Sequence, residues 1–486
     1  MSFPKTIDIG SRRELFVDRH LADRFSGSAE LRLGSPRPEG PALRFDRPWE
    51  GAFSGFGTVL RDGRRYLLYY RGWPGTEDHR DATTCVAESR DGKVFERPDL
   101  GLHEVRGTRQ NNVILTCEED MYTHNFAPFL DDRPGVPEDM RFKALTRNYG
   151  LFFLRRGERE DPMGLFAFAS ADGYRWRRIS DGPVVTKGKF DSLNVPFWSE
   201  HEGCYLCYLR ETSNLGDYDG KGVRSIARCR SDDFLNWSEP ELCDMGDTPL
   251  EELYTNATQP YFRAPHIYIA MPGRFMPGRQ VLRDDEGAAF GVHVDPQGKG
   301  YWHDCSDAVM LTSRGGNRYD RTFMEAFVRP GLDRRNWTSR CNYPSCGIVQ
   351  TGPEELSFYV ERHNTQDAKF LERLSLRIDG FASLHAGYGG GELVTRPLTF
   401  SGRVLEVNYA TGSAGHLRVE IQDPEGRALP GRALDDCHKT IGDEISRQVA
   451  WKGGADISGL AGKAVRLRFE LKDADLYSFR VREPGK

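Results

Sequence analysis

A short polar turn followed by an aromatic residue occurs five times along this chain of 486 residues, each time after an apolar strand pattern. The copies are Ser89-Arg90-Asp91-Gly92 with Phe95, Ser170-Ala171-Asp172-Gly173 with Trp176, Ser231-Asp232-Asp233 with Trp237, Ser313-Arg314-Gly315-Gly316 with Tyr319, and Ile378-Asp379-Gly380 with Phe381. Turn positions 91, 172, 233, 315 and 379 lie 81, 61, 82 and 64 residues apart, room for one four-stranded sheet and its loops. Five such sheets about an axis predict an all-β fold, a five-bladed β-propeller. The Ser and Asp of these turns read as structural, because an Asp there bonds its own turn backbone.

A hairpin precedes each copy, as a blade requires. Thr58-Val59-Leu60 turns at Asp62-Gly63 into Tyr66-Leu67-Leu68-Tyr69-Tyr70, and Val195-Pro196-Phe197-Trp198 turns at Glu202-Gly203 into Tyr205-Leu206-Cys207-Tyr208. Pro260-Tyr261-Phe262 with Ile267-Tyr268-Ile269, and Gly347-Ile348-Val349 with Leu356-Ser357-Phe358-Tyr359, repeat the pattern. Aromatic and β-branched runs bounded by Asp-Gly are strand and turn signals. The second blade reads as the least regular, its hairpin interrupted by a Pro-rich loop between Leu130 and Phe142.

Near Gly389-Gly390-Gly391 the composition shifts, which divides the chain into a propeller over 1–388 and a second domain over 389–486. From Glu392 onward, short alternating segments such as Val404–Tyr409, Leu417–Ile421, Val465–Leu471 and Leu476–Val481 read as a C-terminal β-sandwich. Glu420 and Glu470 fall on the polar phase of those strands and are expected on solvated faces.

The formal net charge of -5 argues against nucleic acid or an anionic membrane as partner. No apolar run is long enough for a transmembrane helix. Met1-Ser2-Phe3-Pro4-Lys5 leads into polar sequence without a secretory signal. The ten cysteines show no metal-finger spacing, and Cys204 and Cys207, three apart on a strand, point to opposite faces. Reduced, packed thiols in a cytoplasmic protein are expected. No cluster has the spacing of a zinc or EF-hand site, so neither a metal nor a cofactor is expected.

Four phrases carry a resemblance: Pro48-Trp49-Glu50-Gly51, His124-Asn125-Phe126, Tyr254-Thr255-Asn256-Ala257 and Asp473-Ala474-Asp475-Leu476-Tyr477-Ser478-Phe479. Together with the propeller and sandwich, they make the chain similar to five-bladed glycoside hydrolases of the invertase and fructosidase type, with a bacterial fructosidase-like set nearest. The propeller alone also resembles the arabinanase and β-xylosidase group. Such families place working carboxylates where the innermost strands of successive blades begin, facing an axial pocket. Glycosidic cleavage needs two of them, one to protonate the leaving oxygen and one to attack or to activate water. The resemblance implies an Asp in each of the first two blades and an acid Glu in a later one. This chain departs from it, offering Glu50 in the first blade and Thr123-His124-Asn125 in the second.

The candidate catalytic carboxylates are Glu50, beside the sugar-stacking face of Trp49, Asp191 before the inner strand of blade three, Glu252 ahead of blade four, and Glu325 entering blade five. Glu325 also reads as a salt-bridge partner of Arg329, and Glu252 as a solvated loop residue. His124, Asn125, Asn194, Thr255 and Asn256 are candidates for binding sugar hydroxyls, and Arg210, Arg274 and Arg329 for an anionic substituent or for holding a carboxylate ionised. Glu361 and His363 end a hairpin of blade five, where they reach the pocket or cap it. Asp304 and Asp307 read as loop solvators. The expected function is hydrolysis of a glycosidic bond in an oligo- or polysaccharide, with Glu50 as base or nucleophile, Asp191 stabilising cationic charge and Glu252 as acid. Glycoside phosphorolysis and non-catalytic carbohydrate binding are the alternatives.

Overall fold

The repeated turns are built from their own side chains in the computed structural model, which describes residues 6–75, 81–117, 123–147, 164–214 and 222–483. Ser170 Oγ accepts from the backbone N–H of Asp172 (3.3 Å) and Gly173 (2.9 Å), while Asp172 Oδ1 accepts from Tyr174 and Arg175, both at 2.8 Å. Ser89 with Asp91, and Ser231 with Asp233, repeat this arrangement. The Asp therefore satisfies N–H groups that the tight turn leaves without strand partners. Residues Met1–Lys5, on which the reading of the N-terminus rests, lie outside the described residues.

The chain divides into two compact units, one of residues 36–375 and one of residues 1–35 with 376–486. Strands dominate both, and among the described residues the helices are short, such as Asp284–Ala289.

In the 36–375 unit the strands follow one another in hairpin order. The first sheet runs Gly55–Asp62, Arg65–Gly72, Thr83–Ser89 and Val113–Thr116; the second His124–Leu130, Phe142–Arg147, Leu165–Ser170 and Arg177–Arg178; the third Val195–Ser199, Cys204–Thr212, Arg224–Ser231 and Glu241–Leu242. The loop after Leu130 leaves Ala127–Leu130 in continuous register with Phe142–Leu145, and the one slip in this hairpin falls between His124 and Ala127, as the first sheet has one between Gly55 and Thr58. The irregular region is the fourth. There the chain forms two three-stranded sheets, Gln259–Tyr261 with Ala264–Ala270 and Leu311–Ser313, and Glu252–Leu253 with Gly273–Met276 and Cys305–Ala308. Met271-Pro272 separates their longest strands, and proline removes a ladder donor.

The last sheet of this unit holds Val349–Gln350, Glu355–Arg362 and Phe370–Arg377, and its fourth strand is Arg37–Arg44 from the beginning of the unit. The Ile378-Asp379-Gly380 copy thus does not lead to an outer strand of this sheet. Asp379 belongs to the other unit, where it accepts from Asn408 Nδ2 (3.0 Å) and Ser478 Oγ (2.6 Å).

Side chains lock neighbouring sheets together. Tyr69 of the first sheet donates its hydroxyl to Gly173 O (3.0 Å), and Trp176 packs 4.8 Å from Phe126 and 6.1 Å from Tyr69. Tyr359 of the last sheet reaches the Gly92 carbonyl of the first. Such aromatic pairs contribute about 0.5–1.5 kcal/mol each beyond their area burial. Thr58, Ala127, Val195, Gln259 and Cys346, from five successive stretches of the unit, line a single cavity of about 350 Å³.

Asp131 ties the second sheet to the third. Its carboxylate accepts from Lys143 Nζ (2.5 Å), Arg133 Nε (2.7 Å) and Tyr205 OH (2.7 Å), with its side chain wholly buried. Burial opposes ionisation but is outweighed by Arg133, Lys143 and Tyr205, which hold the carboxyl down at about 2. A folded value below the unfolded one of about 3.9 means that the stabilisation is full above that pH and is lost as pH falls toward 2. Asp131→Asn is expected to flatten the fall of melting temperature with pH in that window; an unchanged slope would count against this assignment.

In the other unit, Ala22–Gly27, Gly391–Thr395, Arg466–Arg482, Ala382–Ala386 and Glu30–Leu33 form one sheet in that order, with Val404–Gln422 also paired to Arg466–Arg482. Three features differ from the sequence reading. The Gly389-Gly390-Gly391 run lies inside this unit, where Gly391 pairs with Gly27 and Leu471. The four short strands are two long ones of 19 and 17 residues, because a register shift between Thr411 and His416 absorbs the small residues and lets pairing continue. Glu420 is buried rather than solvated: it accepts from Gln422 Nε2 (2.7 Å) and Leu434 N (3.0 Å). Glu470 is half-buried and ion-paired with Arg418 at 2.6 Å. All ten cysteines are free and buried.

Candidate functional site

Near the starts of three hairpins of the 36–375 unit, the backbone leaves ordinary strand geometry. Phe56 and Asn125 adopt φ of 51° and 56°, each at a register slip in its hairpin, and Ala257 adopts 44°. Asparagine tolerates this left-handed region and phenylalanine does not, so Phe56 has to be held there. Glu361 Oε1 accepts from its N–H at 2.6 Å. Gly55 makes room for that carboxylate, since a Cβ at this position would fall 2.4 Å from Glu361 Oε1.

These strand starts open onto a cavity of about 220 Å³. Phe53, Phe56, Trp73, Tyr254 and Tyr301 supply aromatic walls; Arg71, His124, Asp191 and Arg340 supply the polar groups. Phe53 packs 5.4 Å from Trp73 and 5.9 Å from Tyr301. The Arg71 guanidinium lies over Phe56 and Trp73, 4.7 and 5.0 Å from their centroids, and donates to Phe53 O (2.9 Å) and Asn125 Oδ1 (3.1 Å). Asn125 Nδ2 in turn donates to the Asp191 carbonyl at 3.0 Å, so the second sheet orients the segment that carries the acid.

Asp191 is the carboxylate of this cavity among the described residues. It is ion-paired with Arg210, and 38% of its side chain is exposed, against 10% for Arg210. The Arg210 guanidinium lies 4.8 Å from the Tyr254 centroid, and that of Arg224 lies 5.1 Å from it. Burial works against the Arg210 charge, while Asp191 and Tyr254 favour it, with a net upward shift. An acid held between an arginine and solvent, facing aromatic walls, can stabilise a developing positive charge or accept a proton from a bound hydroxyl.

The structure brings Asp191, His124, Asn125 and Arg210 together and leaves the other candidates elsewhere. Glu50, its side chain fully buried, accepts from Tyr70 OH (2.6 Å), Arg97 Nε (2.8 Å) and Arg97 Nη2 (2.6 Å), and Trp49 Nε1 donates to Asn112 (3.0 Å). Glu252 is paired with Arg224 at 2.8 Å. Glu325 and Arg329 are both exposed. Asn194 Nδ2 caps Phe190 O and Ser192 O, Asn256 Nδ2 reaches Leu193 O and Tyr208 O, and Thr255 Oγ1 accepts from Gly273 N. Arg274 is bound to Asp307 and Glu251, and Asp304 is buried against Lys299 at 2.8 Å, so neither aspartate is a loop solvator. His363 pairs with Asp333 at 2.7 Å. Glu361 is buried with Lys369 at 2.7 Å, and Lys369 also donates to Asn364 Oδ1. Burial pulls the Lys369 ammonium below its ordinary value, against the Glu361 carboxylate.

Sequence reasoning missed Arg71, Arg340 and most of the aromatic walls. A signal for Arg71 exists. Arginine recurs at the end of the second strand of the hairpins, as Arg71, Arg147, Arg210 and Arg362. Among the described residues no group of three His, Cys, Asp or Glu side chains is placed to hold a metal ion, and no helix is long and apolar enough to cross a membrane.

The chain matches no family model and no curated protein. Its outline is similar to that of several solved structures. A thermostable family-43 glycoside hydrolase is 12% identical, with 68% of this chain and 91% of that one covered at a TM-score of 0.42. A structure from the GH130 family of mannoside phosphorylases, described as containing glycoside hydrolases that target β-1,2 mannosidic linkages in Candida mannan, is 14% identical, covering 70% and 94% at 0.42. An N-acetylgalactosamine deacetylase from F. plautii in complex with blood group B trisaccharide is 12% identical, covering 72% and 96% at 0.43. At these values the likeness transfers no residue and no reaction to this chain.

Proposed function

We propose that residues 36–375 form a five-bladed β-propeller followed by a C-terminal β-sandwich built largely from later residues, and that the propeller cleaves a glycosidic bond of a carbohydrate at the Asp191 cavity. Residues from five successive stretches of the unit, four of them in four-stranded sheets or leading into one and the other in the split fourth region, line one cavity, which supports the blade count. The observation that carries the function is an aromatic-walled recess at the starts of those stretches holding an ion-paired carboxylate. Aromatic faces suit the apolar face of a sugar ring, and a few convergent polar groups fix its orientation. Asp191 is the group proposed to face the oxocarbenium-like transition state, with Arg210 positioning it.

Hydrolysis by a carboxylate pair is the first reading. Glu50, Glu252 and Glu361 are each engaged by a cation, which supports their holding structure rather than a water or a leaving oxygen. That inventory favours a second reading, phosphorolysis, in which phosphate attacks and arginines hold it.

The test is turnover of an oligosaccharide panel by the full chain, with and without inorganic phosphate. Release of reducing sugar independent of phosphate supports hydrolysis, and a phosphate-dependent sugar phosphate supports phosphorolysis. Binding of panel members with no turnover of any would overturn both and leave a carbohydrate-binding protein.

A further inference from the structure

Several guanidiniums of the 36–375 unit are matched with acids: Arg97 with Glu50, Arg210 with Asp191, Arg321 with Glu251, Arg362 with Glu372 and Arg373 with Glu355. Arg340 differs. It lines the cavity, its guanidinium lies 4.6 Å from the Tyr301 centroid, and its backbone N–H donates to Ser306 Oγ at 3.0 Å. Among the described residues it has no ion-pair partner. The acid of the cavity, Asp191, is already taken by Arg210. A guanidinium in an aromatic recess is poorly solvated and gains most from an anion that reaches two of its N–H groups.

We propose that the cavity recognises an oxyanion, a carboxylate or phosphate group, through Arg340. The inference rests on the carbohydrate reading for the rest of the ligand. Two sources offer this chemistry: a sugar unit with its own carboxylate, or inorganic phosphate bound beside a neutral sugar. The small volume, about 220 Å³, is below that of pockets for drug-sized ligands and suits one ring or one anion rather than a chain. Arginine matches planar carboxylate and phosphate geometry in a way a lysine ammonium does not.

Calorimetric titration of the full chain with D-glucuronate, D-galacturonate, glucose, galactose and inorganic phosphate tests this. At least one anionic probe is expected to bind, with the matching neutral sugar weaker by about tenfold or more. Arg340→Gln should weaken the anion by about 10- to 100-fold, and Arg340→Lys by less, since the charge remains but the fork is lost. Melting temperatures close to that of the unsubstituted chain show that both variants are folded.

Uronate binding without phosphate binding places the anion on the sugar, and the converse places it on phosphate; either result supports the site. No binding of any anion, equal binding of acidic and neutral sugars, or unchanged anion binding by folded Arg340→Gln overturns it. The two readings fail separately. Anion binding lost in Arg340→Gln without turnover of any glycoside leaves this site standing and removes the enzyme. Equal turnover of neutral oligosaccharides by Arg340→Gln and the unsubstituted chain, with no anion bound, does the reverse.

Discussion

Asp191→Asn is expected to reduce turnover of the glycoside identified in the panel by about 10²–10³-fold while the chain remains folded. The substitution is nearly isosteric but removes the charge proposed to face the sugar, and the Asp191 carbonyl contact with Asn125 is untouched because it belongs to the backbone. The side chain is more exposed than its partner Arg210, so folding depends on it less than on the fully buried ion pairs. Initial rates and a melting curve on the same preparation decide the matter. Near-normal turnover with a lowered melting temperature would make Asp191 a structural residue and sink the proposed role.

Glu361→Ala should instead act on stability, by about 3–5 kcal/mol, because it strands the Lys369 ammonium in the interior. It also removes the acceptor that holds Phe56 in its left-handed conformation, so the cavity wall is expected to loosen even where the chain still folds. Replacing both partners, Glu361→Gln with Lys369→Met, should recover much of that loss, since no uncompensated charge remains. Urea unfolding of the two variants provides the comparison. A loss below about 1 kcal/mol for Glu361→Ala would mean that the pair is solvated and that Phe56 is held by other means.

The repeat of Ser, Asp and an aromatic residue was a reliable guide to sheets because its chemistry is local: Asp172 bonds atoms two and three residues away. The same locality misled at Asp379, where a similar string closes a turn in the other unit and its carboxylate is bound by Asn408 and Ser478, far along the chain. Placement at the cavity was legible from position in a hairpin, with His124 and Arg210 on their strands and Asp191 in the turn before Val195–Ser199. Glu50 shows the limit. Its position beside Trp49 suggested a sugar site, yet Arg97 and Tyr70, 47 and 20 residues away, enclose it. Arg340 was invisible for a further reason, because its place depends on the Tyr301 ring and on a backbone turn that no periodic pattern marks.

The pairing of Arg37 with Ser375 has a consequence for the order of synthesis. Residues 36–377 contain all the strands of the sheets in the 36–375 unit, so these are complete once Phe370–Arg377 has left the ribosome. Ala22–Gly27 and Glu30–Leu33, made earlier, have to wait for Gly391–Thr395 and Ala382–Ala386 as partners. Contacts of such long separation carry a large loop-closure cost until the intervening chain has condensed. The inserted unit then shortens the gap, because its own folding brings residues 36 and 375 side by side and delivers the two halves of the remaining sheet to one another.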